Sequence, residues 1–461
     1  FGHFGEIPVR IPMIFSLFAF TLLIYHFFKK ETGKEHGIIT ALMFLTSGRI
    51  IIYESLHGLI DITFSMLTFL FFMMIYKSFN RGRIFTLFLW AYGISALAFL
   101  LKGLPSVVFL GISLLVLFIW QKKVKFLFNW RHFAGIGLFI LIVGAYYLTY
   151  FLKNEVQPAQ MLDVLVGETT RRTAIRFGIW KTIVHLFTFP FEMIYHFLPW
   201  SLLVLFLFTK GFFRKIRSNP FITYIVLLFI FNIGVYWSSP EVYPRYILML
   251  IPLLLGVAFW FYQDKKSKGE KMTGVFEKTL GIIITLAVPA PLLVLLTDLK
   301  NGIPHVWIYA PLVTLMMGVV VILFWKQERF RIYWIVIAIL VFRIGFDLIV
   351  LPLRHHDSEE IKAKNLAAEI AVKTNGEELS FWWNPELEPT GYYGKQITTY
   401  RFNYYLNIYR GEVVNITSDF DTRPGGYFIS QHWAVKDENV KEIMRFQPPG
   451  HNSPLVLFQV E

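Results

Sequence analysis

The sequence predicts an α-helical polytopic membrane protein with a small α/β domain after its last span. Three observations support this class. Of the 461 residues, 55% are hydrophobic and 18% are aromatic. Only 16% are charged, against about a quarter in a typical soluble domain. Apolar runs recur from residue 8 to residue 352, and each reaches the roughly 17 to 25 residues that cross a bilayer core.

The apolar runs predict helices rather than the strands of a barrel. Lipid offers no hydrogen-bond partner to backbone N–H and C=O groups, so only helices and closed barrels cross it. Barrel strands alternate between apolar and polar residues, whereas these runs are continuous. About twelve spans are predicted, at about residues 8–28, 37–53, 57–77, 84–101, 104–120, 131–151, 188–209, 220–238, 244–262, 278–297, 304–325 and 330–352.

The basic residues predict the orientation of these spans. The net charge is +13, from 44 Lys and Arg against 31 Asp and Glu. The excess lies in the loops after the odd-numbered spans, whereas Lys102, Arg245 and Lys300 stand nearly alone in the short loops between them. Because loops rich in Lys and Arg stay in the cytoplasm, the charge orients the chain and does not indicate nucleic-acid binding. The residues before the first span and after residue 353 are therefore predicted outside the cytoplasm.

A start outside the cytoplasm is less usual for an inner-membrane protein than a start inside it. No signal-peptide pattern precedes the first apolar run, so we expect one further span before Phe1 and thirteen in the full protein.

The chain contains no cysteine, which excludes disulfides and thiolate metal sites and is consistent with an envelope protein.

Two long segments are predicted on the periplasmic face of a bacterial inner membrane. One is the loop 152–187, within a transmembrane domain of residues 1–353, and the other is a periplasmic α/β domain of residues 354–461. In the α/β domain, "DSEEIKAKNLAAEIAVKT" predicts an amphipathic helix with acidic residues in its first turn. The segments "ELSFWW", "GGYFISQHW" and "PLVLFQVE" predict strands.

Ionisable residues near the outer edge of the membrane are candidate functional residues, because they are costly to place there. Asp61 lies a few residues into the predicted span 57–77 and needs a partner, a water-filled cavity or a chemical role. A structural hydrogen bond to a neighbouring helix is the alternative. Lys102 lies in the tight turn "FLLKGLPS", where its ammonium is placed to meet a phosphate. The alternative is a lysine that extends its head group to the interface.

The long loop contains "GETTRRTAIRF", in which Glu168, Arg171 and Arg172 lie three to four residues apart. If this segment is helical, Glu168 shares a face with either arginine. Arginine suits phosphate because its planar fork donates two parallel hydrogen bonds. The alternative is a helix that lies on anionic lipid headgroups.

The segment "SSPEVYPRYILMLIPLL" places Arg245 and Tyr246 immediately outside another span. An interfacial anchor of tyrosine and arginine is the alternative interpretation. Glu192 and His196, four residues apart in "FPFEMIYHFLPW", are a weaker candidate for metal binding. Together, basic groups that hold a phosphate and acidic groups that serve as a base or a metal ligand suit transfer from a lipid phosphate.

The order of several strings resembles that of a known enzyme family. "FGEIPVRIP", "IDITFSMLTFLFF", "AFLLKGLP", "ETTRR", "FLPWSLL" and "PRYILMLIP" occur in this order over about residues 1–350. They resemble the family-39-type glycosyltransferases of the GT-C class, the group of the aminoarabinose transferase of lipid A and the protein O-mannosyltransferases. This resemblance implies thirteen spans, a periplasmic C-terminal α/β domain and inverting transfer of a sugar from a polyprenyl phosphate.

The resemblance also implies roles for individual residues. Lys102, Arg171, Arg172 and Arg245 are expected at the lipid phosphate, and Tyr246 is expected to hydrogen-bond the donor or its phosphate. Glu168 is expected to orient the arginines or touch the sugar. Asp61 matches a supporting acidic position. The main catalytic base of the family precedes the first of these strings, so we expect it upstream of Phe1, and the chain given lacks it.

Three other functions remain open at this point. A flippase or other transporter of lipid-linked sugars usually has inverted repeats and helices broken near the midplane, and the sequence shows no repeat. A ligase of the O-antigen type uses the same class of donor. A non-catalytic scaffold with an outer binding domain is the third. The sugar, the acceptor (a lipid, glycan or protein of the envelope) and the cofactor are not determined, although some family members bind a divalent metal.

Overall fold

The computed structural model describes residues 6–154, 179–209, 211–240, 242–356, 358–374, 376–382, 399–417, 425–431, 440–451 and 453–460. The α-helices in its first two-thirds are α1 (Glu6–Thr32), α2 (Lys34–Leu45), α3 (Asp61–Asn80), α4 (Ile84–Lys102), α5 (Pro105–Trp120), α6 (Trp130–Lys153), α7 (Ile179–His196), α8 (Phe212–Arg217), α9 (Pro220–Trp237), α10 (Ile251–Ser267) and α11 (Lys271–Ala287). The later ones are α12 (Ala290–Leu293), α13 (Val306–Lys326), α14 (Arg331–Gly345), α15 (Leu351–His356), α16 (Glu359–Lys373) and α17 (Tyr400–Arg410).

The predicted fold class is confirmed. Among the described residues, eight helical stretches are long and apolar enough to cross a membrane, and the apolar helix α5 is shorter. The count of twelve spans stays a prediction. Several predicted spans are interrupted, and their continuous α-helices are too short to cross a membrane.

Five of the predicted spans change helix type within their length, and three of these carry residues discussed below. Span 37–53 contains α2 and then a π-helical turn, Ile50–Glu54. Span 188–209 contains the end of α7 and then a 3-10 helix, Trp200–Phe208. Span 244–262 begins with a 3-10 turn, Pro244–Ile247, before α10. Because a π-turn and a 3-10 turn rotate side chains differently from an α-helix, these interruptions decide which polar residues face one another.

The described chain divides into two units. The first, here called the helical unit, comprises residues 10–286 and 319–343. Its core is an apolar cluster rich in aromatic rings, among them the fully buried Phe20, Phe44, Phe72 and Trp200. Close helix approach depends on glycine: a Cβ at Gly37 would lie 2.6 Å from the backbone nitrogen of Lys29 in α1.

The second, here called the mixed unit, comprises residues 1–9, 287–318 and 344–461. Its five strands are β1 (Leu379–Trp382), β2 (Asn415–Thr417), β3 (Tyr427–Gln431), β4 (Val440–Phe446) and β5 (Leu455–Val460). They form one sheet in the order β2-β1-β3-β5-β4. The β1 strand pairs in parallel with β2 and β3, whereas β5 is antiparallel to β3 and β4.

One face of this sheet packs against α16 and α17. The shared core includes Ala367 and Ile370 of α16, Phe402 of α17, and Phe381 and Leu457 of the sheet. The helix predicted from "DSEEIKAKNLAAEIAVKT" and the strands predicted from "ELSFWW", "GGYFISQHW" and "PLVLFQVE" are all present, as α16, β1, β3 and β5. The helix α17 and the strands β2 and β4 were not predicted.

Candidate active site

Asp61 is the first residue of α3 and not a residue inside the helix, which corrects the sequence-based placement. The predicted span starts earlier because apolar residues precede Asp61, but the α-helix itself begins at the carboxylate. The N-terminal end of a helix carries unpaired N–H groups and a partial positive charge, which stabilises an acidic side chain there. The Asp61 side chain is only 8% exposed, so it needs further positive partners.

Lys102, the last residue of α4, is one of these partners. Its ammonium donates a hydrogen bond to Oδ1 of Asp61. The helix stops here because Gly103 has a φ of +73°, a conformation that favours glycine, and its N–H bonds back to the carbonyl of Phe99. Pro105 then opens α5, where proline costs no hydrogen bond. The tight turn thus places the lysine beside the start of α3.

Arg245 and Tyr246 complete the cluster from the 3-10 turn Pro244–Ile247. The Nε of Arg245 lies 3.6 Å from Oδ2 of Asp61. The ring of Tyr246, which is buried, has its centroid 3.8 Å from the Lys102 ammonium. Attraction between a cation and an aromatic ring contributes about 0.5–2 kcal/mol, more where water is excluded. The structure therefore brings four predicted residues, Asp61, Lys102, Arg245 and Tyr246, into one site.

The charge of this group favours an anionic ligand. One carboxylate, Asp61, faces two cations, Lys102 and Arg245, which leaves a net charge of +1. The three side chains are 8%, 16% and 28% exposed, so solvent screens them only in part. A phosphate placed here would meet preformed positive charge, and Asp61 holds the two cations in place.

A second charged pair, Arg49 with Glu54, lies near this site and was missed by the sequence analysis. Nε of Arg49 donates to Oε1 of Glu54 at 2.8 Å, and Glu54 interacts electrostatically with Asp61 and Arg245. The available signal was an arginine inside the predicted span 37–53. Pairing at a separation of five residues depends on the π-turn, which closes i→i+5 rings, and hydropathy does not encode that turn.

The remaining candidates are not part of this described cluster. Glu168, Arg171 and Arg172 lie outside the described residues. His196 Nε2 is 3.9 Å from Oε1 of Glu192 at the end of α7. Within the ranges that the structure describes, no group of three or more His, Asp or Glu side chains is arranged to hold a metal ion.

Comparisons with known proteins identify the fold. The crystal structure of ArnT from Cupriavidus metallidurans bound to undecaprenyl phosphate matches with a TM-score of 0.64 at 15% sequence identity. The match covers 98% of this chain and 84% of that chain. The chain has a GT-C fold. The apo state of the same ArnT matches with a TM-score of 0.60, also at 15% identity, over 97% of this chain and 83% of that one.

The sequence comparisons add nothing to this structural match, since no protein-family model and no curated protein sequence matches the chain. The predicted resemblance to GT-C transferases is thus confirmed for the fold. A structural match at 15% identity shows the fold and nothing finer. The roles of the individual residues rest on the geometry of the cluster.

Proposed function

We propose that this protein transfers a sugar from a polyprenyl-phosphate donor to an acceptor at the periplasmic face of the bacterial inner membrane, with inversion at the sugar. The observation that carries the proposal is the cluster of Asp61, Lys102, Arg245 and Tyr246 in a chain with a GT-C fold. The ArnT structure of this fold holds undecaprenyl phosphate, which is the lipid phosphate that a donor of the proposed class releases, and a buried cationic site beside membrane helices would accept it.

The reaction needs little more from the protein than orientation and charge. An acceptor hydroxyl forms a bond to the anomeric carbon while the bond from that carbon to the phosphate oxygen breaks. The phosphate leaves without a proton and gains one negative charge, which Lys102 and Arg245 are placed to stabilise. The proton of the acceptor passes to a carboxylate base. A single displacement of this kind inverts the configuration at the anomeric carbon.

Each residue of the cluster has a distinct task in this proposal. Lys102 and Arg245 hold the phosphate, and Tyr246 supports the ammonium with its ring and donates a hydrogen bond to donor or phosphate. Asp61 orients both cations and does not take the acceptor proton. Glu168, Arg171 and Arg172, which lie outside the described residues, are proposed to contact the same phosphate and sugar. A divalent metal ion remains open as a cofactor, and the acceptor is a lipid, glycan or protein of the envelope.

The test is a transfer assay with the protein purified in nanodiscs and supplied with radiolabelled polyprenyl-phosphate sugars and envelope extracts. The Lys102→Met variant is compared with Lys153→Met. The two lysines are matched, since each is the last residue of a long apolar helix, and Lys153 is exposed. We expect loss of transfer of about a hundredfold or more in Lys102→Met, as for other groups that stabilise developing charge, and none in Lys153→Met.

Two outcomes would contradict the proposal. Equal transfer by both lysine variants would remove Lys102 from the phosphate site. If the protein in sealed vesicles moves the lipid-linked sugar across the membrane and forms no new glycosidic bond, it is a transporter and not a transferase.

A further inference from the structure

The pair of Arg49 and Glu54 is more deeply enclosed than an ordinary surface ion pair. The side chain of Glu54 is 1% exposed and that of Arg49 is 12% exposed. Oε1 of Glu54 accepts the Nε hydrogen bond of Arg49, whereas Oε2 is buried and has no hydrogen-bond partner among the described residues. Leaving a buried carboxylate oxygen unpaired is costly.

Arg49 is held in place on several sides. The N–H of the preceding Gly48 donates to the carbonyl of Leu198 at 2.8 Å. A Cβ at Gly48 would lie 3.1 Å from that same oxygen, so the glycine allows this close approach. The guanidinium carbon of Arg49 also lies 4.8 Å from the centroid of the Tyr53 ring. An arginine fixed by its backbone, by a carboxylate and by a ring loses little further freedom when it binds a ligand.

The hydrogen-bonding capacity of Arg49 is only partly used. Its Nε is taken by Glu54, and within the described part of the chain no group accepts a hydrogen bond from its two terminal nitrogens. Lys102, in contrast, donates a hydrogen bond to Asp61. The terminal edge of a guanidinium matches two oxygens of a phosphate or carboxylate. Arg49 therefore has two donor nitrogens that are open to a ligand.

The Glu54 carboxyl group is electrostatically coupled to the candidate site. Glu54 interacts with Asp61 and Arg245 as well as with Arg49. The pair itself is neutral, so Arg49 adds directed hydrogen bonds to the region without adding a large desolvation cost for net charge.

We propose that Arg49 binds a phosphate oxyanion through its terminal nitrogens and that Glu54 is the residue that positions it. This inference rests on the proposed function and extends it, since it adds a phosphate contact that the sequence motifs do not include. The same chemistry fits the headgroup of a polyprenyl monophosphate or free phosphate, and the binding experiment separates these two sources.

The experiment measures binding of a fluorescent polyprenyl monophosphate to the protein in nanodiscs, with inorganic phosphate and the corresponding polyprenol as competitors. Arg49→Lys keeps the charge and removes the planar fork. Arg83→Lys is the matched control, because Arg83 is exposed and precedes the opposite end of the helix that carries Lys102. Arg49→Lys is expected to weaken lipid-phosphate binding roughly ten- to a hundredfold, and Arg83→Lys is expected to leave it unchanged.

The outcomes are distinguishable. Wild-type affinity in a folded Arg49→Lys protein would overturn this inference and leave the proposed function standing. Absence of polyprenyl-phosphate binding in the wild type would overturn both. Competition by inorganic phosphate as strong as by the lipid phosphate, lost in Arg49→Lys, would support the anion site and assign it to free phosphate. Competition by the neutral polyprenol alone would contradict a phosphate contact.

The positioning role of Glu54 is tested by a double-mutant cycle. Glu54→Gln keeps an oxygen that accepts from Nε of Arg49, whereas Glu54→Ala does not. We expect Glu54→Ala to weaken lipid-phosphate binding about tenfold in the wild type and to have little effect in Arg49→Ala, since residues that act through one another are not additive. Binding close to wild type is expected for Glu54→Gln. Additive losses in the double variant would contradict positioning through Arg49.

Discussion

Replacement of Asp61 by asparagine tests the electrostatic account of the site through stability. The change keeps the size of the side chain and removes the one negative charge that faces Lys102 and Arg245. Coulomb's law with an effective dielectric constant of about 20 gives roughly 5 kcal/mol for charges separated as Arg245 Nε and Asp61 Oδ2 are, at 3.6 Å. The closer contact with Lys102 adds to this attraction.

The net loss is smaller, because the ionised groups regain solvation when the protein unfolds. Removal of one partner from a buried ion pair costs about 3–5 kcal/mol. The side chain of Arg245 is 28% exposed, so water screens part of the interaction. We therefore expect Asp61→Asn to lower the free energy of unfolding by about 3 kcal/mol, at the lower end of that range.

The assay is equilibrium unfolding in mixed micelles with increasing SDS, followed by tryptophan fluorescence. Asp298→Asn is the control, because Asp298 is exposed. The double variant Asp61→Asn with Lys102→Met should recover part of the loss, since one of the two cations facing the site is also removed. A loss below about 0.5 kcal/mol in Asp61→Asn, within the usual range for surface substitutions, would refute the reasoning.

Three further predictions concern the fold. Gly37→Ala should lower the free energy of unfolding by about 3 kcal/mol, because the new Cβ meets backbone at 2.6 Å; Gly111→Ala, with open space at its Cβ, should be neutral or stabilising. Tyr224→Phe should cost about 1 kcal/mol in the same SDS titration, since its buried hydroxyl donates to a carbonyl of α3 at 2.7 Å. Burial raises the pKa of Asp264, but hydrogen bonds and charges from two lysines outweigh this and lower it. The ionised Asp264 therefore stabilises the folded protein fully at a pH above the pKa that this carboxyl group has in the unfolded chain. This stabilisation is lost as the pH falls through the lower pKa of the folded state. Asp264→Asn should flatten this part of the stability–pH curve.

Much of the fold can be predicted from the sequence, because membrane helices depend on length and hydropathy more than on detailed packing. The ends of α4 and α5 follow from such simple signals, among them the break at Gly103 and Pro105. The charged edge strand β4 (Val440–Phe446), with a mostly exposed or half-buried pattern, and the three-residue strand β2 give weak signals. Such strands are defined by their pairing partners, which the local sequence does not name.

The site is predictable in its members but not in its contacts. Asp61, Lys102 and Arg245 each stand out as an ionisable residue at the end of an apolar run. That Asp61 lies between the other two depends on how α3, α4 and the turn before α10 pack, which involves residues far apart in the chain. The pairing of Arg49 with Glu54 depends on a π-turn, and only the structure reveals it.

The central claim is that the cluster around Asp61 receives the phosphate of a lipid-linked sugar donor. A cryo-EM structure of the protein in nanodiscs with an undecaprenyl phosphate added tests it most directly. The account predicts phosphate density within hydrogen-bond distance, about 3 Å, of the Lys102 ammonium or the Arg245 guanidinium. Phosphate density bound elsewhere in the protein, with the contacts of Asp61 to Lys102 and Arg245 unchanged, would contradict it.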